Sequence, residues 1–196
     1  MKKFIVVAYF TDNAVYNKHA HNLVASLKEF DISFDIKQVK NLGSWKKNTQ
    51  YKPTFIKEMM VKYPDYSIVY TDIDSVFKAY PVLFENIEKD VAAHDFNRAE
   101  YSSSAKNVAE LLSGTLYFKN SPESIRILDL WIAACKKNPA SWDQSCLQKV
   151  LTNYYKLPPQ YCCIYDTMRT VKNPVIVHYQ ASREIRRLHK TFYRGN

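Results

Sequence analysis

The sequence predicts an α/β layer fold with a mostly parallel central sheet flanked by helices. Short apolar runs rich in β-branched and aromatic residues recur along the chain, separated by stretches with apolar residues at steps of three and four. Strands that alternate with helices in this way build a largely parallel sheet. In addition, the run "YSIVYTDID" ends in Asp72 and Asp74, and ligands of such sheets sit at the carboxyl ends of strands. The 196 residues suffice for one domain with a real core, read as residues 1–196 with a basic C-terminal tail from about 181. A hydrophobic content of 46% and a charged content of 24% belong to an ordinary globular chain, and only 3 glycines and 8 prolines exclude collagen-like or low-complexity character.

The elements follow in order. "KKFIVVAYF" reads as a first buried strand, and a helix from about Asn13 to Phe30 carries Tyr16, Ala20, Leu23, Leu27 and Phe30 on one face. "SFDIKQV" is a second strand, and "KNLGSWKKNTQ" a polar loop. A helix through Phe55, Met59 and Met60 starts at Pro53, which suits a first turn. The strand ending in Asp72 comes next, then "PVLFENI", a strand "DVAAHDF", a loop "NRAEYSSSAKN" and a strand "LLSGTLYF". Ser121, Pro122 and Glu123 open a helix that runs to about Asn138. "SWDQSCLQKVLTNYY" reads as a further helix, and "YCCIY" and "VIVHYQ" as late short strands.

Alternation along an extended chain puts Asp72 and Asp74 on one side. Two carboxylates at close range repel unless a cation joins them, and oxygen donors suit Mg²⁺ or Mn²⁺. The competing reading makes both residues turn formers, one capping a loop and the other solvated. The formal charge of +9 gathers partly in the tail, with Arg183, Arg186, Arg187, Lys190 and Arg194. Such a tail suits a phosphorylated ligand, a nucleic acid or an anionic membrane surface, or is simply a solvated face. Cys135, Cys146, Cys162 and Cys163 lack metal-ligand spacing and fit reduced thiols in a cytoplasm, with at most one of the adjacent pair buried. The N-terminal apolar run is too short for a signal peptide, and no stretch reaches the length of a membrane span, so a cytoplasmic protein is expected.

The ordered set "AYFTDN", "TDID", "LLSGTLYF", "WDQSCL" and "VHYQASR" resembles the GT-A nucleotide-diphospho-sugar transferases, in particular small glycosyltransferases related to family 8. The resemblance runs from Phe4 to about Arg187. It implies a GT-A (Rossmann-like) fold and a metal-dependent transfer of sugar from a nucleotide diphosphate, with a UDP-sugar as the favoured donor. It also implies that Ala8, Tyr9, Thr11, Asp12 and Lys52 form the nucleotide pocket; the alternatives are that Tyr9 is core, Asp12 a helix cap and Lys52 a surface residue. By the same resemblance Asp72 touches the ribose or the metal, and Asp74 and His178 ligate Mn²⁺ or Mg²⁺, against a satisfied core histidine. The family's later lysine falls on Glu184, so Arg183 is taken as the phosphate partner on charge and proximity.

Ser113, Gly114 and Thr115 resemble the family turn beneath the donor sugar, and a glycine inside a strand pattern marks close approach of a ligand. Asp95 is the acceptor assigned to a sugar hydroxyl. Asp143 and Gln144 resemble the pair near the anomeric carbon of retaining enzymes; equally, Ser141 and Gln144 spell a capping box with Asp143 in the first turn. Trp142 reads as core rather than as a sugar platform. The acceptor stays open, with the basic tail admitting an anionic one, nucleic acid included. Two rival functions are a nucleotidyltransferase on a related fold, for which "AYFTDNAV" lacks a glycine-rich phosphate loop, and a non-catalytic nucleic-acid-binding module, which leaves the Asp-x-Asp unexplained.

Overall fold

Strand β1 (Phe4–Thr11) sends alternate side chains into two separate apolar clusters, which is why its sequence is a continuous apolar run. The computed structural model describes residues 3–192, with side chains to Arg187. Phe4, Val6 and Ala8 face helix α1 (Ala14–Glu29), whose Ala20, Leu23 and Leu27 are buried; each fully buried leucine contributes about 1.5–3 kcal/mol. Ile5, Val7 and Tyr9 face the opposite layer, built from helices α3 (Lys52–Lys62) and α4 (Pro122–Lys137). Asn13 caps α1 by accepting from the Val15 N–H at 2.9 Å, and Ser121 caps α4 by accepting from the Ser124 N–H at 3.2 Å.

The central sheet contains β1, β2 (Phe34–Val39), β3 (Ser67–Thr71), β5 (Val91–Asn97), β6 (Ala109–Phe118) and β7 (Tyr155–Lys156) in the order β2-β1-β3-β6-β5-β7. Pairings β1–β2, β1–β3 and β5–β7 are parallel, while β6 is antiparallel to both β3 and β5, so β6 alone runs against the rest. The mostly parallel α/β expectation holds. A small second sheet, in the order β4-β9-β8, joins β4 (Ser75–Phe77), β9 (Ile176–His178) and β8 (Cys163–Ile164) beside the carboxyl end of β3.

Several expectations are corrected. The stretch 40–50 is not all loop: Ser44 caps a short helix α2 (Trp45–Gln50) by accepting from the Lys47 N–H at 3.2 Å. The helix expected to run through Tyr155 is only α5 (Asp143–Gln148), because the chain then turns and adds β7 to the sheet edge beside β5. Both Cys162 and Cys163 are buried, since separate clusters receive them: Cys162 packs with Phe84, Tyr117 and Ile176, and Cys163 with Phe96, Met168 and Val177. The basic tail begins as helix α6 (Ala181–Phe192), which carries Arg183, Arg186 and Arg187; the side chain of Lys190 and all of Arg194 lie outside the described residues. Among the described residues no helix is long and apolar enough to cross a membrane.

Candidate active site

Helical side chains lean toward the helix N-terminus, so Lys52, the first residue of α3, aims past the helix start at the strand ends. It is 3% exposed, which rules out the surface reading. Its ammonium lies 3.1 Å from Asp72 Oδ1 and 2.9 Å from Asp143 Oδ2, and donates to Ser113 O at 3.0 Å and Ser113 Oγ at 3.1 Å. Ser113 Oγ in turn donates to Asp143 Oδ2 at 2.8 Å. Burial alone would lower the Lys52 pKa, but Asp143 and Asp72 outweigh it and hold the pKa above its ordinary value, so the lysine stays charged. Burial, reinforced by the Asp143 and Asp72 charges, raises Tyr9, and burial with Asp72 raises Tyr70, so both remain phenols.

Asp143 is not a capping residue. Trp142 occupies the N-cap position of α5 without a side-chain bond, and the Asp143 carboxylate turns inward to Lys52 and Ser113. Its backbone carbonyl accepts from the buried Trp131 indole at 2.8 Å, fixing the start of α5 on α4. Gln144 is half-buried, with its amide 3.4 Å from Glu110 Oε2.

The strand direction does not persist through the two aspartates, as the extended reading required. β3 stops at Thr71 and the chain turns, with the Ser75 N–H donating to Asp72 O at 3.1 Å before β4 begins. The Asp72 N–H donates to Gly114 O at 2.8 Å, which seats Asp72 against β6. Asp72 Oδ1 accepts from Tyr70 Oη at 2.9 Å, and Asp74 Oδ2 accepts from the Ala181 N–H at 2.8 Å. That last contact depends on Gln180, whose φ of 59° lies in the left-handed region and swings the chain from β9 into α6. His178 pairs with Ser75 across the small sheet, places Nε2 2.8 Å from Thr115 Oγ1, and leaves Nδ1 3.6 Å from Asp74 Oδ1.

A Cβ added at Gly114 would lie 3.3 Å from Asp72 Oδ2, 3.3 Å from His178 Cε1 and 3.4 Å from His178 Nδ1. The second Asp72 oxygen and an imidazole nitrogen therefore converge over a glycine that leaves the space between them open. Among the described residues no three His, Cys, Asp or Glu side chains already form a group able to hold a metal ion. Asp72 and His178 border that cradle, Asp74 Oδ1 lies 3.6 Å from the same imidazole, and carboxylate and imidazole are donor types that suit Mn²⁺.

Two adjoining cavities open here, of about 460 Å³ and 160 Å³, and Asp72, Ser113 and Asp143 line both. Tyr9, Thr11, Lys52 and Asp74 line the smaller; Gly114, Thr115, Gln144, His178 and Arg183 line the larger. Three expected residues stand elsewhere. Ala8 is fully buried against α1 because alternation along β1 turns it away from the cleft. Asp12 is exposed and accepts from the Asn17 side chain at 3.1 Å. Asp95 lines a separate cavity and is held by the Tyr154 hydroxyl and by Lys156 at 2.8 Å. Arg183 reaches the larger cavity, but its Nη1 bonds both Asp166 oxygens at 2.9 and 2.8 Å, and Glu184 lies 3.1 Å from His19 Nε2. Tyr16, Trp45, Gln180 and Ser182 also line the cavities without having been named as site residues, Trp45 because its stretch reads as a polar loop.

Acidic and aromatic side chains gathered at the carboxyl ends of a mostly parallel sheet define an α/β enzyme cleft. The profile of the family described as nucleotide-diphospho-sugar transferase matches residues 1–187, and the chain belongs to that family of sugar-transferring enzymes. No curated protein matches the chain. A glycosyltransferase involved in the glycosylation of the major capsid of PBCV-1 is similar in structure, with a TM-score of 0.70 at 14% identity over 95% of this chain and 98% of that one. GlyE of Streptococcus pneumoniae TIGR4 (TM-score 0.57, 18% identity) matches 91% of this chain, which spans 55% of GlyE. The bifunctional glycosyltransferase WbbM (TM-score 0.56, 14% identity) also matches 91%, with 46% of WbbM covered. At these identities the likeness concerns the fold, and it agrees with the GT-A expectation.

Proposed function

We propose that this transferase moves a sugar from a UDP-sugar to an acceptor hydroxyl with retention of configuration, assisted by Mn²⁺ or Mg²⁺. The observation that carries the reading is the Asp72–Lys52–Asp143 cluster at the junction of two cavities, with the open cradle over Gly114 beside it. In this reading the smaller cavity takes the nucleoside, with Tyr9 and Thr11 on its wall, and the larger takes the sugar over Ser113, Gly114 and Thr115.

Asp72, Asp74 and His178 would hold the divalent ion, which would stabilise charge developing on the diphosphate. Lys52 holds Asp72 and Asp143 in place through its two ion pairs. Asp143 accepts a sugar hydroxyl, and Gln144 stands beside it. The acceptor oxygen bonds to the anomeric carbon as the bond to the diphosphate oxygen breaks. The bonding pair leaves with that oxygen, on the same face of the sugar, and the oxygen takes the acceptor's proton. Arg183, committed to Asp166, serves to anchor α6 over the cleft. Residues 1–196 act as one domain, and the four free, buried cysteines suit a reducing cytoplasm.

The test is a thermal-shift and hydrolysis panel of nucleotide sugars with and without Mn²⁺. Ligand at about 100 times its Kd stabilises the native state by roughly 2.7 kcal/mol, so UDP-sugars with Mn²⁺ should raise Tm by several degrees and be hydrolysed slowly. Asp74→Asn should abolish the Mn²⁺-dependent part. An Asp74→Asn protein that responds like the wild type would refute the metal assignment, and a wild type indifferent to every nucleotide sugar would refute the donor reading.

A further inference from the structure

Of the chain's three tryptophans, Trp131 is fully buried, whereas Trp45 is 45% and Trp142 53% exposed. Both exposed indoles line the larger cavity, with ring centroids 5.9 Å apart at an interplanar angle of 88°. They come from distant segments, the first turn of α2 and the N-cap of α5. Gln50, at the end of α2, ties those segments together: its side-chain amide donates to the carbonyls of Asn138 at 3.1 Å and Ser141 at 2.8 Å. The expectation that Trp142 is core is therefore corrected; it stands at the cavity rim immediately before Asp143.

We propose that Trp45 and Trp142 form the acceptor platform and seat a pyranose ring of a neutral saccharide. The proposal rests on the transferase reading, which requires a second, hydroxyl-bearing substrate beside Asp143. A held right-angle pair of indoles offers one ring face and a second wall, which suits a ring with an apolar face and a polar edge. Gln144, Gln180 and Ser182 line the same cavity and supply uncharged partners for the hydroxyls.

Charge decides against a polyanion. The cavity wall carries the Asp72 and Asp143 carboxylates, and the Arg183 guanidinium on it is paired with Asp166. Phosphates threading toward Asp143 would meet two carboxylates where they approach the reacting end, whereas a neutral sugar meets no such barrier.

The test uses the full chain with UDP and Mn²⁺ on an array of immobilised neutral and sialylated oligosaccharides, with a single-stranded oligonucleotide spotted alongside. The wild type should be retained by at least one neutral saccharide; Trp142→Ala and Trp45→Ala should each lower that retention tenfold or more, and Trp142→Phe should restore most of it. No retention by any saccharide, or equal retention of the alanine variants, overturns the platform. So does Trp-dependent retention by the oligonucleotide alone, or a tenfold loss of UDP affinity in Trp142→Ala, which would give the indole to the donor base. Hydrolysis of nucleotide sugars, measured on the same wild-type protein, separates the two failures. Hydrolysis without saccharide retention sinks only the platform, whereas absence of both sinks the transferase reading and the platform with it.

Discussion

A lysine that is 3% exposed keeps its charge because two carboxylate partners stand beside it. The Asp143 side chain is 6% exposed, so removing Lys52 leaves a buried carboxylate without a cation. Lys52→Met, which preserves much of the volume, should cost about 3–5 kcal/mol in urea unfolding, the range for breaking one side of a buried ion pair. A loss below about 1 kcal/mol would mean that water screens the cluster and that Lys52 does not organise it. The family resemblance named Lys52, Asp72 and Asp143 as site residues but gave no sign that they pair with one another. "QYKPTF" reveals a helix start through Pro53, yet a lysine at a helix start looks solvated in sequence because its acidic partners, just after β3 and on α5, are remote along the chain. For Asp143 two readings stood side by side, the resemblance to a site residue and the Ser141-x-x-Gln144 capping box, and tertiary contacts to Ser113 and Lys52 outcompete the local bond.

Elements with strong periodicity were readable, and so were the short strands β8 and β9 in "YCCIY" and "VIVHYQ", whereas β4 and β7 were not. β1, α1, α3 and α4 appear where apolar spacing and caps place them, since their own residues bury against the sheet. The two-residue strand β7 exists through its pairing with β5, and no local pattern encodes that partner. β6 lies between these cases: the glycine inside its apolar run signalled close approach, and Asp72 and His178 are what approach. Gly114 needs no left-handed backbone, so an alanine there can adopt the strand conformation, and its methyl group would fill the gap 3.3 Å from Asp72 Oδ2. Gly114→Ala should therefore keep its far-UV circular dichroism and lose only about 1–3 kcal/mol, as for overpacking. The same change should remove the Mn²⁺-dependent part of the nucleotide thermal shift. Full retention of the Mn²⁺ response would show that the space above Gly114 is not where the ion sits.

Across the whole molecule, the formal charge of +9 was plain in the sequence, but not which carboxylates hold the periphery to the sheet. Three of them do so. Asp35 on β2 accepts from Lys62 at 2.8 Å and Tyr63 at 2.9 Å, joining the sheet edge to α3. Asp95 on β5 holds Lys156 of β7 at 2.8 Å, and Asp166 after β8 holds Arg183 of α6. Burial alone would raise each carboxyl pKa, but the bonds from Lys62 and Tyr63, from Lys156 and Tyr154, and from Thr167 and Arg183 outweigh it and lower all three. A folded pKa below the unfolded value of about 3.9 means that the unfolded chain binds protons first as pH falls. The contribution is complete above that value and disappears as pH drops through the lowered folded values. The side chains are 16%, 30% and 28% exposed, so each tie is worth about 0.2–1 kcal/mol and salt weakens it. At fixed ionic strength the urea midpoint should hold between pH 7 and pH 5 as far as these three groups are concerned, then fall from pH 4 to pH 3. Asp166→Asn removes one of them, so it should lower the midpoint at pH 7 and flatten the fall below pH 4. A wild-type midpoint unchanged between pH 5 and pH 3 would mean that these carboxylates are paired no better in the folded protein than in the unfolded chain.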